Sequence, residues 1–217
     1  DSKYNSSSLA QSLSVTTLDN DTAGIVLSEA SVTVDERSGS DNFTVRLQSE
    51  PLDNVTLTLS DNDSTEVSVS PASLSFGPDN WSEAQTVVVR GVADSFDDGS
   101  QTSTITIASD NSTSDGKYLL SALDNATLTV VTLDNDTATV TIDNVSVSEN
   151  ATTATMTLRL SNGVSDNFTV YVSTIDGTAR SSQYDYTALS TQTVSFAGND
   201  NETQSVSITL NDDSQVE

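Results

Sequence analysis

Asp53-Asn54-Val55-Thr56-Leu57-Thr58-Leu59-Ser60 reads as one β-strand entered through a turn. Val55, Leu57 and Leu59 alternate with Thr56, Thr58 and Ser60, and a period of two puts the apolar three on one face. The preceding Asp-Asn supplies the Asx-turn chemistry that starts such a run. The same grammar returns at Asp166-Asn167-Phe168-Thr169-Val170-Tyr171-Val172 and, without the turn, at Val206-Ser207-Ile208-Thr209-Leu210. Asp-Asn and Gly punctuate these runs about every 8–12 residues, as in a β-sandwich. No segment carries a 3.6-residue period. The fold class is all-β.

Self-similarity divides the chain. Asp1-Ser2-Lys3-Tyr4 recurs as Asp115-Gly116-Lys117-Tyr118, and Val15-Thr16-Thr17-Leu18-Asp19-Asn20-Asp21-Thr22-Ala23 as Val130-Val131-Thr132-Leu133-Asp134-Asn135-Asp136-Thr137-Ala138. A second register carries Val32-Thr33-Val34-Asp35-Glu36 onto Val145-Ser146-Val147-Ser148-Glu149, Arg46-Leu47 onto Arg159-Leu160, and Asp63 onto Asp176. After an insertion, Leu74-Ser75-Phe76 meets Val194-Ser195-Phe196, and Gln85–Val89 meets Gln204–Ile208. Two homologous sandwiches in tandem follow. The expected division is an orphan terminal strand and linker over 1–21, sandwich 1 over 22–136 and sandwich 2 over 137–217. Sandwich 2 would lack its last two strands. A sandwich left with bare edges must be completed. Either the chain continues as a longer array, or the N-terminal strand of one copy enters sandwich 2 of its neighbour.

Composition removes whole classes of function. With 32 acidic residues against 7 basic the formal charge is −25. Such a surface repels phosphate backbones, so nucleic acid is not an expected partner. The sequence has no His and no Cys, which excludes zinc sites of the usual N/S kind, thiol nucleophiles and a Ser-His-Asp triad. No apolar run approaches the roughly 20 residues of a membrane helix, so membrane insertion is not expected. An enzyme is not expected either. The carboxylates sit on turns, and no cleft aromatics accompany the one tryptophan, Trp81.

The asparagines carry a different signal. Of 16, thirteen stand in Asn-x-Ser/Thr: Asn5, Asn20, Asn42, Asn54, Asn62, Asn80, Asn111, Asn125, Asn135, Asn144, Asn150, Asn167 and Asn201. With Ser and Thr at 68 of 217 residues, chance would place about five there. Eleven of the thirteen follow an Asp. Turn chemistry and β-propensity account for some of this pattern, but not for the regular two-residue step to Ser or Thr. Strand parity adds a physical test. With Val55 and Leu57 inward, Asn54 faces solvent, and so do Asn42 beside Phe43, Asn144 beside Val145 and Asn167 beside Phe168. Exposure is what an N-glycan acceptor needs. Covalent N-glycans are expected.

Carboxylates gather at the loop positions of both repeats. Oxygen-only clusters of this kind suit Ca²⁺, although solvated turn aspartates are the commoner fate of such residues. Val145-x-Val147-x-Glu149-Asn150, Asp176-Gly177-Thr178-Ala179, Tyr184-Asp185-Tyr186-Thr187, Val194-x-Phe196 and Val206-x-Ile208-x-Leu210-x-Asp212-Asp213 resemble the Calx-beta domain. Ser70–Phe76, Asn80-Trp81, Gln85–Val89 and Asp94–Gly99 resemble its divergent version in repetitive bacterial surface proteins. The resemblance implies immunoglobulin-like sandwiches, some of which bind Ca²⁺. Carried over by motif, the implied ligands are Glu36, Asp63, Asp94, Asp98, Asp134 and Asp136 in sandwich 1. In sandwich 2 they are Glu149, Asp176, Asp212, Asp213 and Glu217. Sandwich 1 departs from the pattern, with Asp63-Ser64-Thr65-Glu66 in place of Asp-Gly-Thr-Ala and no Tyr-Asp-Tyr insertion.

The function expected is structural: a repeat protomer of an extracellular or cell-surface, heavily N-glycosylated filament, stalk or adhesin. Its partners would be copies of itself head to tail, or adjacent repeats of the same chain. No cofactor is required, with Ca²⁺ the candidate ion. The alternative is a Ca²⁺-binding Calx-beta regulatory or adhesion module that calcium rigidifies.

Overall fold

The computed structural model describes residues 12–37, 39–110, 115–119, 123–148 and 150–212. Its first half is a two-layer sandwich. One sheet orders β1 (Ile25–Leu27), β3 (Ser40–Leu47), β7 (Gln85–Gly91) and β5 (Val67–Ser70). The other orders β2 (Ser31–Asp35), β10 (Ala126–Leu133), β9 (Gln101–Ser109), β4 (Val55–Asp61) and β6 (Ser73–Phe76). All pairings within these two sheets are antiparallel except β2 with β10, which run parallel. The alternation read from the sequence decides which side chains meet between the layers. Phe43, Val45, Val55, Leu57, Val87, Val89, Ile105, Ile107, Leu128 and Val130 are all buried in one core. Each such side chain contributes about 1.5–3 kcal/mol of burial.

The repeated Asp-x-Lys-Tyr motif fastens one end of this core. Tyr118 is buried, and its hydroxyl donates to the Ser49 carbonyl at 2.6 Å. The Asp115 carboxylate accepts the N–H of Leu52 at 3.0 Å and of Lys117 at 2.7 Å. Trp81 packs partly buried against the same core.

Sandwich 2 repeats the plan with fewer strands. β11 (Val140–Ile142), β12 (Thr153–Leu160) and β16 (Thr203–Thr209) form one sheet, and β14 (Phe168–Val172) pairs with β15 (Gln192–Phe196) in the other. Its core is small: Leu158, Leu160, Val194, Phe196 and Val206, with the Phe168 and Phe196 rings stacked at 5.2 Å. Two short strands, β8 (Phe96–Asp97) and β13 (Gly163–Val164), pair in parallel between the two halves. The Asp97 carboxylate also accepts the Ala138 N–H at 2.7 Å.

Two expectations need correction. Within the expected orphan strand and linker, residues 12–21 carry no strand, and residues 1–11 lie outside the described residues. Leu13, Val15 and Leu18 are exposed. A strand is defined by its partner, and residues 12–21 pair with no strand among the described residues. Val145 and Val147, expected to face a core, are 43% and 45% exposed, whereas Val32 and Val34 are 5% and 2% exposed. The reason lies in the topology. In sandwich 1, β2 touches its sheet only through β10. The described part of sandwich 2 has no counterpart of β10, so residues 143–148 form no strand.

Candidate functional site

The parallel register of β2 and β10 builds an acidic end on sandwich 1. Asp35 lies opposite Leu133, so the next residues, Glu36 and Asp134, emerge side by side. The Glu36 N–H donates to the Leu133 carbonyl at 3.2 Å. One carboxylate oxygen each from Glu36, Asp134 and Asp136 lies within 4.8 Å of the others. Backbone donors fix the set. Asp134 accepts the N–H of Asp136 at 2.7 Å and of Gly99 at 2.8 Å, and Glu36 accepts the N–H of Asp94 at 3.1 Å. Gly99 holds φ at +73°, a conformation that favours glycine.

Electrostatics set this end apart. Glu36 is buried, and burial pushes its carboxyl above the ordinary 4.5. The charges of Asp94 and Asp134 act in the same direction, against N–H donors from Asp94 and Asn135. Glu66, also buried, is pushed up to about 7, first by burial and then by Asp98, Asp63, Asp94 and Glu36. The charges acting on Glu66 are thus four carboxylates. A divalent cation would relieve both burial and repulsion. Two oxygens on one Ca²⁺ at about 2.3–2.6 Å lie at most about 5.2 Å apart, so the Glu36, Asp134 and Asp136 oxygens fit one ion.

The implied ligands of sandwich 1 therefore separate. Glu36, Asp134 and Asp136 meet as a set. Asp63, Asp94 and Asp98 lie close enough to act on Glu66 but do not join the set. Asp63 turns to its own loop, accepting the Thr65 hydroxyl at 2.5 Å, and Asp94 accepts the Phe96 N–H at 2.7 Å. Glu66 is the acid that sequence reasoning missed. Parity from Val67 and Val69 puts it on the solvent face, but the turn closed by Val67 N–H to the Asp63 carbonyl folds it inward.

Sandwich 2 assembles no such set among the described residues. Asp176 is already occupied: it accepts the Ser181 N–H at 2.9 Å and the Tyr186 hydroxyl at 2.5 Å. These bonds, the Ser181 N–H first, hold its carboxyl below the ordinary 3.8. Asp212 is exposed. Glu149, Asp213 and Glu217 lie outside the described residues.

Among the glycan acceptors, Asn20, Asn42, Asn54, Asn62, Asn125, Asn135, Asn144, Asn150, Asn167 and Asn201 are exposed, and Asn80 is half-buried. Asn5 and Asn111 lie outside the described residues. Asn80 accepts the Gly77 N–H and Asn62 the Thr104 N–H, both through Oδ1. The amide nitrogen that would carry a glycan is not used in either bond.

The Calx-beta domain model matches twice, over residues 19–136 and 133–217. The chain belongs to the Calx-beta family. Calx-beta and immunoglobulin-like domains are typically non-catalytic binding or structural modules, and this chain is a tandem pair of such β-sandwich repeats. No match is found among curated proteins. Among solved structures, CBD12 from CALX1.2 is similar at 16% identity, with 88% of this chain and 76% of that one covered and a TM-score of 0.37. The calcium binding domain CBD12 of CALX1.1 is similar at 15% identity, covering 84% and 74%, with a TM-score of 0.37. The YadV chaperone is similar at 11% identity, covering 86% and 85%, with a TM-score of 0.39. At these scores the likenesses add nothing to the assignment, which the two family-model matches carry. Among the described residues, no helix is long and apolar enough to cross a membrane.

Proposed function

We propose that this Calx-beta chain is a structural protomer of an extracellular, heavily N-glycosylated filament, stalk or adhesin. In that assembly a strand equivalent to β10, donated by a neighbouring copy or supplied by continuing chain, covers residues 143–148 on the open face of sandwich 2; the place of β9 is left to further chain. One observation carries the reading. Val145 and Val147 stand exposed where Val32 and Val34 are buried, and the sequence that covers Val32 and Val34 recurs at residues 15–23. The exposed sequon asparagines support the extracellular, glycosylated part, since their density exceeds what turn chemistry and β-propensity account for. The test is the intact mass of native material, denatured, before and after deglycosylation, alongside electron microscopy. A large loss of mass and fibrous particles are expected. No change in mass together with dispersed monomers would overturn the proposal.

The Glu36, Asp134 and Asp136 set favours a second reading, a Ca²⁺-binding module. Calcium then raises the melting temperature of the wild-type chain and leaves Glu36→Gln nearly unchanged. Equal shifts in both would remove this reading.

A further inference from the structure

We infer that the occupant of the open sandwich 2 is the Leu13–Leu18 segment of a second copy of this chain, held in one parallel register. The inference rests on the completion reading above and names the partner and the alignment.

The register follows from two observed correspondences. In sandwich 1, Thr129, Val130, Val131, Thr132 and Leu133 lie opposite Ser31, Val32, Thr33, Val34 and Asp35. The repeat converts the first set to Ser14, Val15, Thr16, Thr17 and Leu18, and the second to Asn144, Val145, Ser146, Val147 and Ser148. Ser14 therefore pairs with Asn144, Val15 with Val145, Thr16 with Ser146, Thr17 with Val147 and Leu18 with Ser148. Side-chain parity is consistent throughout. Leu128, Val130 and Thr132 point into the core of sandwich 1, so Leu13, Val15 and Thr17 point into sandwich 2. There they meet a cavity of about 470 Å³ lined by Ile142, Val145, Ala154, Met156, Ile208 and Leu210. Asn144 and Ser146 face away from it, which leaves the Asn144 acceptor free.

Residues 13–18 of the same chain cannot be the donor. β3 runs from Ser40, beside the Asp35 turn, to Leu47, which pairs with Ile25. That strand is about 24 Å long. The chain leaves sandwich 1 for sandwich 2 from Leu133, opposite Asp35, so Ile25 lies at the far end. The seven steps from Ile25 back to Leu18 span about 25 Å at most, enough to run the length of sandwich 1 but too little to reach residues 144–148 beyond it. The same tether serves a neighbour well. Leu18 is separated from Ile25 in β1 by as many residues as Leu133 is from Val140 in β11. In that second case the linked strands belong to different sandwiches. A contact of this head-to-tail kind propagates into a linear polymer.

The native chain has no cysteine, so the register can be read directly by disulfide formation. Thr16→Cys with Ser146→Cys, in the full chain under mild oxidation, should give a ladder of covalent multimers on non-reducing gels. Ser14→Cys with Ser148→Cys, four positions out of register, should give at least tenfold less. Val15→Asp in the first pair should abolish the ladder while sandwich 1 melts as in wild type, which shows that the variant folds. Equal ladders from both pairs would overturn the register. A fast-migrating monomer would overturn the second copy as donor. Absence of any cross-link would overturn the inference, and a synthetic peptide of residues 12–18 then decides the underlying reading. Protection of the Val145–Ser148 amides by that peptide would keep the completion reading, whereas no protection would remove it as well.

Discussion

At the scale of single residues the acidic end of sandwich 1 governs how stability responds to pH. Glu66 titrates near 4.5 when unfolded and at about 7 when folded. The native state therefore holds this proton more tightly, and by linkage stability is highest below about 4.5 and is lost as pH rises through 7. Glu36, raised by burial, acts in the same direction. Calorimetry without calcium should show the sandwich 1 transition falling between pH 5 and 7.5, and Glu66→Gln should flatten that fall. A transition that rises over this range would contradict the assignment. Sandwich 2 has the opposite sign. The Asp176 carboxyl is lowered by the Ser181 N–H and the Tyr186 hydroxyl, and Glu202 by the N–H groups of Ala197, Asn199 and Gly198. Their contribution is present above the ordinary carboxylate range and lost as pH falls through the lowered values.

At the scale of elements, β2 and its counterpart at residues 143–148 have similar sequences in different surroundings. Val34→Ala removes buried methyls and should cost about 1.5–3 kcal/mol in the isolated chain. Val147→Ala should cost under about 0.5 kcal/mol there, because the side chain is already half in water. In the assembled material its cost should approach that of Val34→Ala, measured as the denaturant midpoint of each form. Equal costs in the isolated chain would mean that residues 143–148 are paired without a partner. The elements also show what was legible in the sequence. Alternation at Val55–Ser60 and Phe168–Val172 gave strands and their inward faces directly, because local parity decides them. Residues 12–18 and 143–148 alternate just as well, yet neither is a strand here, since pairing is a non-local property. Glu36 and Asp134 were legible through the Calx-beta resemblance, whose motifs place acids directly after two strands of one repeat. Glu66 was not, because a turn overrode the parity of Val67 and Val69.

At the scale of the whole molecule a thin core, a charge of −25 and an open sheet edge point one way. A bare edge invites indiscriminate pairing. Glycans at the exposed acceptors would cover the flanks and leave the head-to-tail contact as the accessible one, and like charges along the flanks oppose lateral association. The proposed assembly would gain length without forming bundles. The direct measurement of this account is amide hydrogen exchange at Val145–Ser148 in the native assembled protein. The account predicts protection comparable to that of Val32–Asp35, lost when the assembly is dissociated. Exchange at Val145–Ser148 that is equally fast in assembled and dissociated material would contradict it.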